Sequence, residues 1–220
     1  MARRSPPRKL QPDAPDIPVD LASSPSALQS GDRWDEASMD NGIVIPATVV
    51  DFEVRASRWI GGELSGRRFR GLRALDVHFH HCDFSSTVFD DAAFRRVAFT
   101  DCRLTGTVFS GAELRDVRIS NSRADLTSFR MTTAAHLLVA DSSLRGADFY
   151  ELAGEDCAFL GCDLQEASFS ASRLRRTRLH GSTLDGIQGA EFLRDSEISA
   201  DQVAALGIAL LASMNIRVTD

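Results

Sequence analysis

Phenylalanine recurs at Phe69, Phe89, Phe109, Phe129, Phe149 and Phe169, every twenty residues without a slip. A bulky side chain held in one register over a fixed period implies a coil that stacks on copies of itself. A finer beat of five runs inside each period. With central slots at 64, 69, 74 and onward to 184, 21 of 25 positions are Leu, Phe, Ile or Val, and the exceptions are Ala74, Ala124, Ala134 and Gly154. Two residues before each central slot, from Val77 to Ser182, 20 of 22 positions are Ala, Cys, Ser, Thr or Val, and only Leu137 and Leu152 depart. Positions two apart share one face of an extended segment, so both slots point inward. An amphipathic helix needs apolar recurrence at 3.6 residues, which a period of five cannot supply.

The ladder also counts the sides of each coil. At a spacing of twenty one side is all Phe and another mostly Leu, as in Leu64, Leu104, Leu144, Leu164 and Leu184. At a spacing of fifteen the types mix, as in Leu64, Phe79, Phe94, Ala124 and Val139. Four sides of five residues fit. Coils about 4.8 Å apart make residues 42–187 a rod of about seven coils and roughly 35 Å. Ala74, Ala134 and Gly154 lie on one face beside Leu72, Leu137 and Leu152, a small residue next to an enlarged one, which conserves core volume. The inward hydroxyls of Thr87, Thr107, Ser122, Thr127, Thr132, Ser142, Ser172, Thr177 and Ser182 need acceptors, and nearby backbone carbonyls are the expected ones.

Three segments follow. Residues 1–41 hold Pro6, Pro7, Pro12, Pro15, Pro18 and Pro25 among polar residues and read as a disordered tail and lead-in with a basic start at Arg3, Arg4, Arg8 and Lys9. Residues 42–190 carry the five-residue beat. In the first coil Val44, Val49, Val54 and Trp59 keep its phase, although Phe52 is large for its slot. Residues 191–220 form a cap. Its helix, about 200–213, is announced by Ser199 with Gln202 three residues on and by a stripe of Val203, Leu206, Leu210 and Met214, with Ile216 and Val218 as a closing strand. Such a cap covers the unpaired strand groups at an open solenoid end.

Little catalytic chemistry is written here. Cys82, Cys102, Cys157 and Cys162 all occupy inward slots, and no C-x-x-C pair suggests zinc. Cys82 and Cys102 stack at disulfide distance, but reduced core thiols are the expectation. His78, His80 and His81 cluster in outward slots with no carboxylate at ligand spacing nearby, so no metal or cofactor is expected. Nucleophile-elbow, phosphate-loop and dinucleotide fingerprints are missing, and paired acids such as Asp90-Asp91 read as a solvated face. No apolar run is long enough to span a membrane, and Arg3-Arg4 lacks a following hydrophobic region, so a cytoplasmic location is expected.

Arginine is the one surface feature with direction. Arg73, Arg95, Arg96, Arg115, Arg173, Arg175 and Arg176 fall on one side of the coil, with Arg118 and Arg178 on the next. Asp76, Glu113, Asp116, Glu155 and Asp156 are interleaved, which predicts ion-pair ladders rather than a nucleic-acid stripe. Of these, Arg95, Arg96, Arg115, Arg118, Arg173, Arg175, Arg176 and Arg178 form the candidate interaction surface.

Units such as Ala147-Asp148-Phe149, Cys82-Asp83-Phe84, Cys162-Asp163-Leu164, Ala112-Glu113-Leu114 and Ala167-Ser168-Phe169 match the motif A-[DN]-[LF]-x-x. On these units the chain resembles the pentapeptide-repeat family of actinobacterial type, distantly like its gyrase-binding quinolone-resistance members. The resemblance covers about two-thirds of the chain. It implies an all-β solenoid, the right-handed quadrilateral parallel β-helix, with a C-terminal capping helix that in similar proteins also carries dimer contacts. It implies a non-enzymatic protein-binding or scaffold module, or a DNA-mimicking modulator of DNA gyrase or topoisomerase that confers resistance to gyrase-targeting drugs. A DNA mimic presents acidic stripes along its length. Here the net charge of -6 sits at the ends, since residues 62–187 carry 16 basic and 17 acidic groups, so the scaffold reading leads.

Overall fold

A computed structural model describes residues 11–216. Parallel strands stack one coil upon the next with residue n beside residue n+20. One face runs Val54, Ala74, Phe94, Leu114, Ala134, Gly154, Leu174 in unbroken register. The chain turns each corner at the residue two after the central slot, which takes a left-handed conformation, as at Asp76 (φ 57°), His81 (φ 54°), Arg96 (φ 49°) and Asp101 (φ 53°). Short polar side chains that bond their own backbone tolerate this region best, which is why the corners favour Asp, Asn and Gly. Four corners per twenty residues make the right-handed quadrilateral β-helix of about seven turns, closed by one C-terminal helix.

The interior is a stack of rings. Phe69, Phe89, Phe109, Phe129, Phe149 and Phe169 sit with successive centroids 5.6, 5.1, 5.3, 5.2 and 4.7 Å apart. All six are buried. The small-residue face is packed, not hollow. A Cβ added at Gly154 would lie 2.7 Å from Leu174 Cδ2 and 3.0 Å from Cys157 Sγ. Inward hydroxyls find the expected carbonyls: Thr107, Thr127 and Thr132 each donate at 2.8 Å to Phe84, Leu104 and Phe109. Ser172 and Thr177 are the exceptions, with buried oxygens that have no hydrogen-bond partner among the described residues. The four cysteines are free and buried. Burial pushes the Cys157 thiol up to about 12 and Cys162 up to about 11, so both are inert core groups.

Three parts differ from expectation. Residues 11–41 are laid against the solenoid instead of forming a disordered tail. Leu28, Trp34, Ala37 and Met39 are buried, and Trp34 pairs with Val54 in the same twenty-residue register. Trp34 meets Phe52 edge-on at 5.3 Å, which is how the large residue fits its slot. Residues 1–10, with the basic start, lie outside the described residues.

Val44 does not keep the phase. It is 68% exposed, and Ile45 is buried in its place. The next corner falls on Pro46, whose ring fixes φ near −65° and forbids the left-handed turn, so the chain slips by one residue there.

The helix Val203–Ser213 is rotated relative to its expected stripe. Val203 and Met214 are 59% and 67% exposed, and Ala205, Leu206 and Ala209 pack on the core. Gln202 sets the rotation. Its Oε1 accepts from Ser199 N–H at 2.7 Å, and its Nε2 donates to Leu179 and Ser182 carbonyls at 2.6 Å each. The residue expected only to cap its helix therefore also satisfies orphan carbonyls of the last coil. Ile216 forms no strand, and Val218 lies outside the described residues.

Candidate interaction surface

The corner residues at 76, 96, 116, 136, 156 and 176 build a vertical charge ladder. Asp76 and Arg96 form a two-pronged pair, with Nε–Oδ1 at 2.6 Å. Asp116 lies 3.2 Å from His136 Nδ1, and His136 Nε2 is 3.9 Å from Asp156. Asp156 in turn accepts from Arg176 at 2.7 and 2.8 Å. Each member is one coil from the next, so twenty-residue stacking converts interleaved charges into alternating partners. Asp76 and Asp116 are buried.

Residues 11–20 run along this ladder. The Asp16 N–H donates to Asp76 Oδ1 at 3.0 Å, the Asp13 N–H donates to Asp116 Oδ1 at 3.2 Å, and Arg118 reaches Gln11 Oε1 at 3.4 Å. Asp76 and Asp116 are two coils apart and Asp13 and Asp16 three residues apart, so the segment is extended along the rod axis.

Burial works to raise the Asp76 carboxyl, but the hydrogen bonds and charge of Arg96, with the Asp16 N–H, outweigh it and hold it below the ordinary 3.8. A depressed folded-state value gives stability that is complete above the unfolded value and is lost as pH falls through the folded one. Asp76→Asn is therefore expected to lower the denaturation midpoint at pH 7 and to flatten its decline below about pH 4. A wild-type acid limb unchanged by the substitution would contradict the pairing.

The eight candidate arginines separate into engaged and open groups. Arg96, Arg118 and Arg176 hold the partners just described, and Arg178 is half-buried. Among the described residues Arg95, Arg115, Arg173 and Arg175 are exposed and make no ion pair. Arg95 and Arg115 are register neighbours on adjacent coils. Arg175 stands three coils further on, beyond Ala135 and Glu155, so the structure forms two patches and not one stripe. At the second patch a cleft of about 450 Å³ opens between the last coils and the cap, lined by Arg173, Leu174, Arg175, Phe192, Arg194 and Asp195. Sequence reasoning missed Phe192 and Arg194 there, because both fall after the beat ends. Among the described residues no helix is long and apolar enough to cross a membrane.

The histidines also differ from expectation. The carboxylates near them in sequence, Asp76 and Asp83, do not join the cluster, and stacking instead brings Asp101, twenty residues beyond His81, within reach of His80 and His81. The signal was present in that spacing.

A family model described as "Pentapeptide repeat region" matches residues 52–129, 72–149 and 93–169, and one described as "Pentapeptide repeats (8 copies)" matches residues 155–187. The chain belongs to the pentapeptide-repeat family. A comparison with curated proteins gives no match. Among solved structures, this pentapeptide-repeat protein is similar to trypsin-treated QnrB1, a plasmid-mediated fluoroquinolone resistance protein, at 16% identity over 89% of this chain and 100% of that one, with a TM-score of 0.39. It is also similar to HetL, a pentapeptide-repeat protein involved in heterocyst differentiation regulation from Nostoc sp. strain PCC 7120, at 17% identity over 78% of this chain and 86% of that one, with a TM-score of 0.36.

Proposed function

We propose that this pentapeptide-repeat protein is a non-enzymatic binding or scaffold module whose partner is an acidic protein segment. The observation that carries this reading is the cleft at the solenoid–cap junction. Arg173, Arg175 and Arg194 surround it, Leu174 and Phe192 supply an apolar floor and edge, and Arg173 and Arg175 make no ion pair among the described residues. Guanidinium forks around an apolar seat suit carboxylate or phosphate groups flanking one hydrophobic side chain. The near-neutral rod and its open arginines argue against an acidic DNA mimic. A supercoiling assay separates the two readings. This protein is expected to leave gyrase activity and drug sensitivity unchanged at micromolar concentration, and inhibition or drug protection would favour the gyrase reading.

The cap carries a second proposal, a homodimer. Val203 and Ile208 are exposed on a helix that buries no residue fully, and Met214 is exposed just past its C-terminal end. Light scattering is expected to show a dimer that Ile208→Glu converts to monomer. A wild-type monomer at high concentration would remove it.

A further inference from the structure

We propose that His80, His81 and Asp101 form a binding site for a divalent transition-metal ion. His80 ends the strand Arg73–His80, and His81 and Asp101 occupy successive left-handed corners of one edge of the rod. The backbone between them is fixed, since His80 is paired in register with Thr100 and the His81 N–H donates to the Thr100 carbonyl at 3.1 Å. Three ligand atoms, one from each side chain, lie within 4.8 Å of one another. His80 Nδ1 and Asp101 Oδ2 are 3.7 Å apart, and the two imidazole centroids are 3.9 Å apart. Tetrahedral coordination with bonds near 2.0–2.2 Å puts ligand atoms about 3–3.5 Å from one another, so small side-chain rotations close the set.

One atom there is left without a hydrogen bond, with Asp101 Oδ2 at 3.7 Å within ion-pair reach. Among the described residues His80 Nδ1, shielded from solvent, has no hydrogen-bond partner. A buried imidazole nitrogen without a partner is costly, and a metal would satisfy it. The rest of the cluster is accounted for, with His78 Nε2 turned to Thr100 Oγ1 at 3.1 Å.

Two imidazoles and one carboxylate select Zn²⁺, Co²⁺, Ni²⁺ or Cu²⁺ over Mg²⁺ or Ca²⁺, which prefer all-oxygen shells. His81 and Asp101 both line an open groove of about 500 Å³ that also includes Glu63, Asp83, Arg103 and Arg123. Three protein ligands leave a coordination position free, so a bound ion would present it to that groove, where water or a donor from a binding partner completes the shell. Cys82 and Cys102 border the same groove, but their thiols point inward and donate to the carbonyls of Trp59 and Phe79. The site is therefore nitrogen and oxygen only.

The test is calorimetric titration of the full chain, tag removed and metal-free, with Zn²⁺ alone and then Co²⁺ alone. The expected result is one ion per chain, with Co²⁺ ligand-field bands and no thiolate charge-transfer band. His81→Asn and Asp101→Asn each keep a residue suited to a left-handed corner. Each is expected to melt like the wild type without metal and to lower the affinity by about tenfold or more. His136→Asn, on the separate charge ladder, is expected to bind like the wild type. Failure to bind stoichiometrically, affinity unchanged in His81→Asn and Asp101→Asn, or a thiolate band would each overturn the proposal.

Discussion

Phe129→Ala is expected to lower the unfolding free energy by about 3–5 kcal/mol. Phe129 is fully buried at the middle of the ladder. Its ring lies 5.3 Å from Phe109 and 5.2 Å from Phe149, with planes within 7° and 5° of parallel. Removing it deletes contacts on both ring faces at once. The surroundings cannot close the gap, because adjacent coils are held at fixed spacing by bonds such as Phe129 N–H to the Asp148 carbonyl at 2.7 Å. A cavity that persists costs the lost transfer energy and the lost dispersion contacts together. Denaturant unfolding should show the midpoint falling with an unchanged slope. A loss under about 1 kcal/mol would mean that the ladder is not close-packed.

Gly189→Ala is expected to cost about 2–5 kcal/mol, for a different reason. Gly189 has φ +72°, a conformation that any Cβ disfavours, and it sits where the last coil hands over to the cap. The added carbon would lie 2.5 Å from Ser170 N and 2.7 Å from Ser170 Cα. These are backbone atoms of the preceding coil and cannot rotate away. Gly207→Ala is the control. Among the described residues nothing lies within 4 Å of its added carbon, and it sits inside the helix Val203–Ser213, so it is expected to stabilise by up to about 1 kcal/mol. Equal melting temperatures for the two variants would contradict this account of the junction.

How much of this was readable from the residues depends on where the information is held. Phe69 to Phe169 and the small slots two residues earlier prescribe a four-sided coil, because side-chain size alone decides which faces can stack. The slip at Val44 was legible too, since Pro46 stands on a corner that demands positive φ. Residues 11–20 were not legible. They dock through backbone N–H groups onto Asp76 and Asp116, and a backbone donor has no sequence signature. The helix rotation was hidden for a similar reason, since Gln202 reaches carbonyls of Leu179 and Ser182 that belong to every residue type alike. For the surface, the outward slots of the arginines were plain. Which of them are open depended on partners one coil away, such as Asp76 for Arg96, and on Gln11 for Arg118. Arg194 and Phe192 join Arg173 and Arg175 only through the fold of the cap.

The binding-module reading rests on those open arginines. Its most direct test is quantitative affinity capture from the native host with two baits, the wild-type protein and the charge-reversed Arg173→Glu, Arg175→Glu, Arg194→Glu variant. Since Arg173 and Arg175 make no ion pair among the described residues, and Arg194 gives up one exposed hydrogen bond, Nε to the Glu191 carbonyl at 3.3 Å, the variant is expected to melt close to the wild type. The account predicts an acidic protein captured at stoichiometric level by the wild type, reduced at least about tenfold on the variant and weakened by salt. Equal capture by both baits would contradict it.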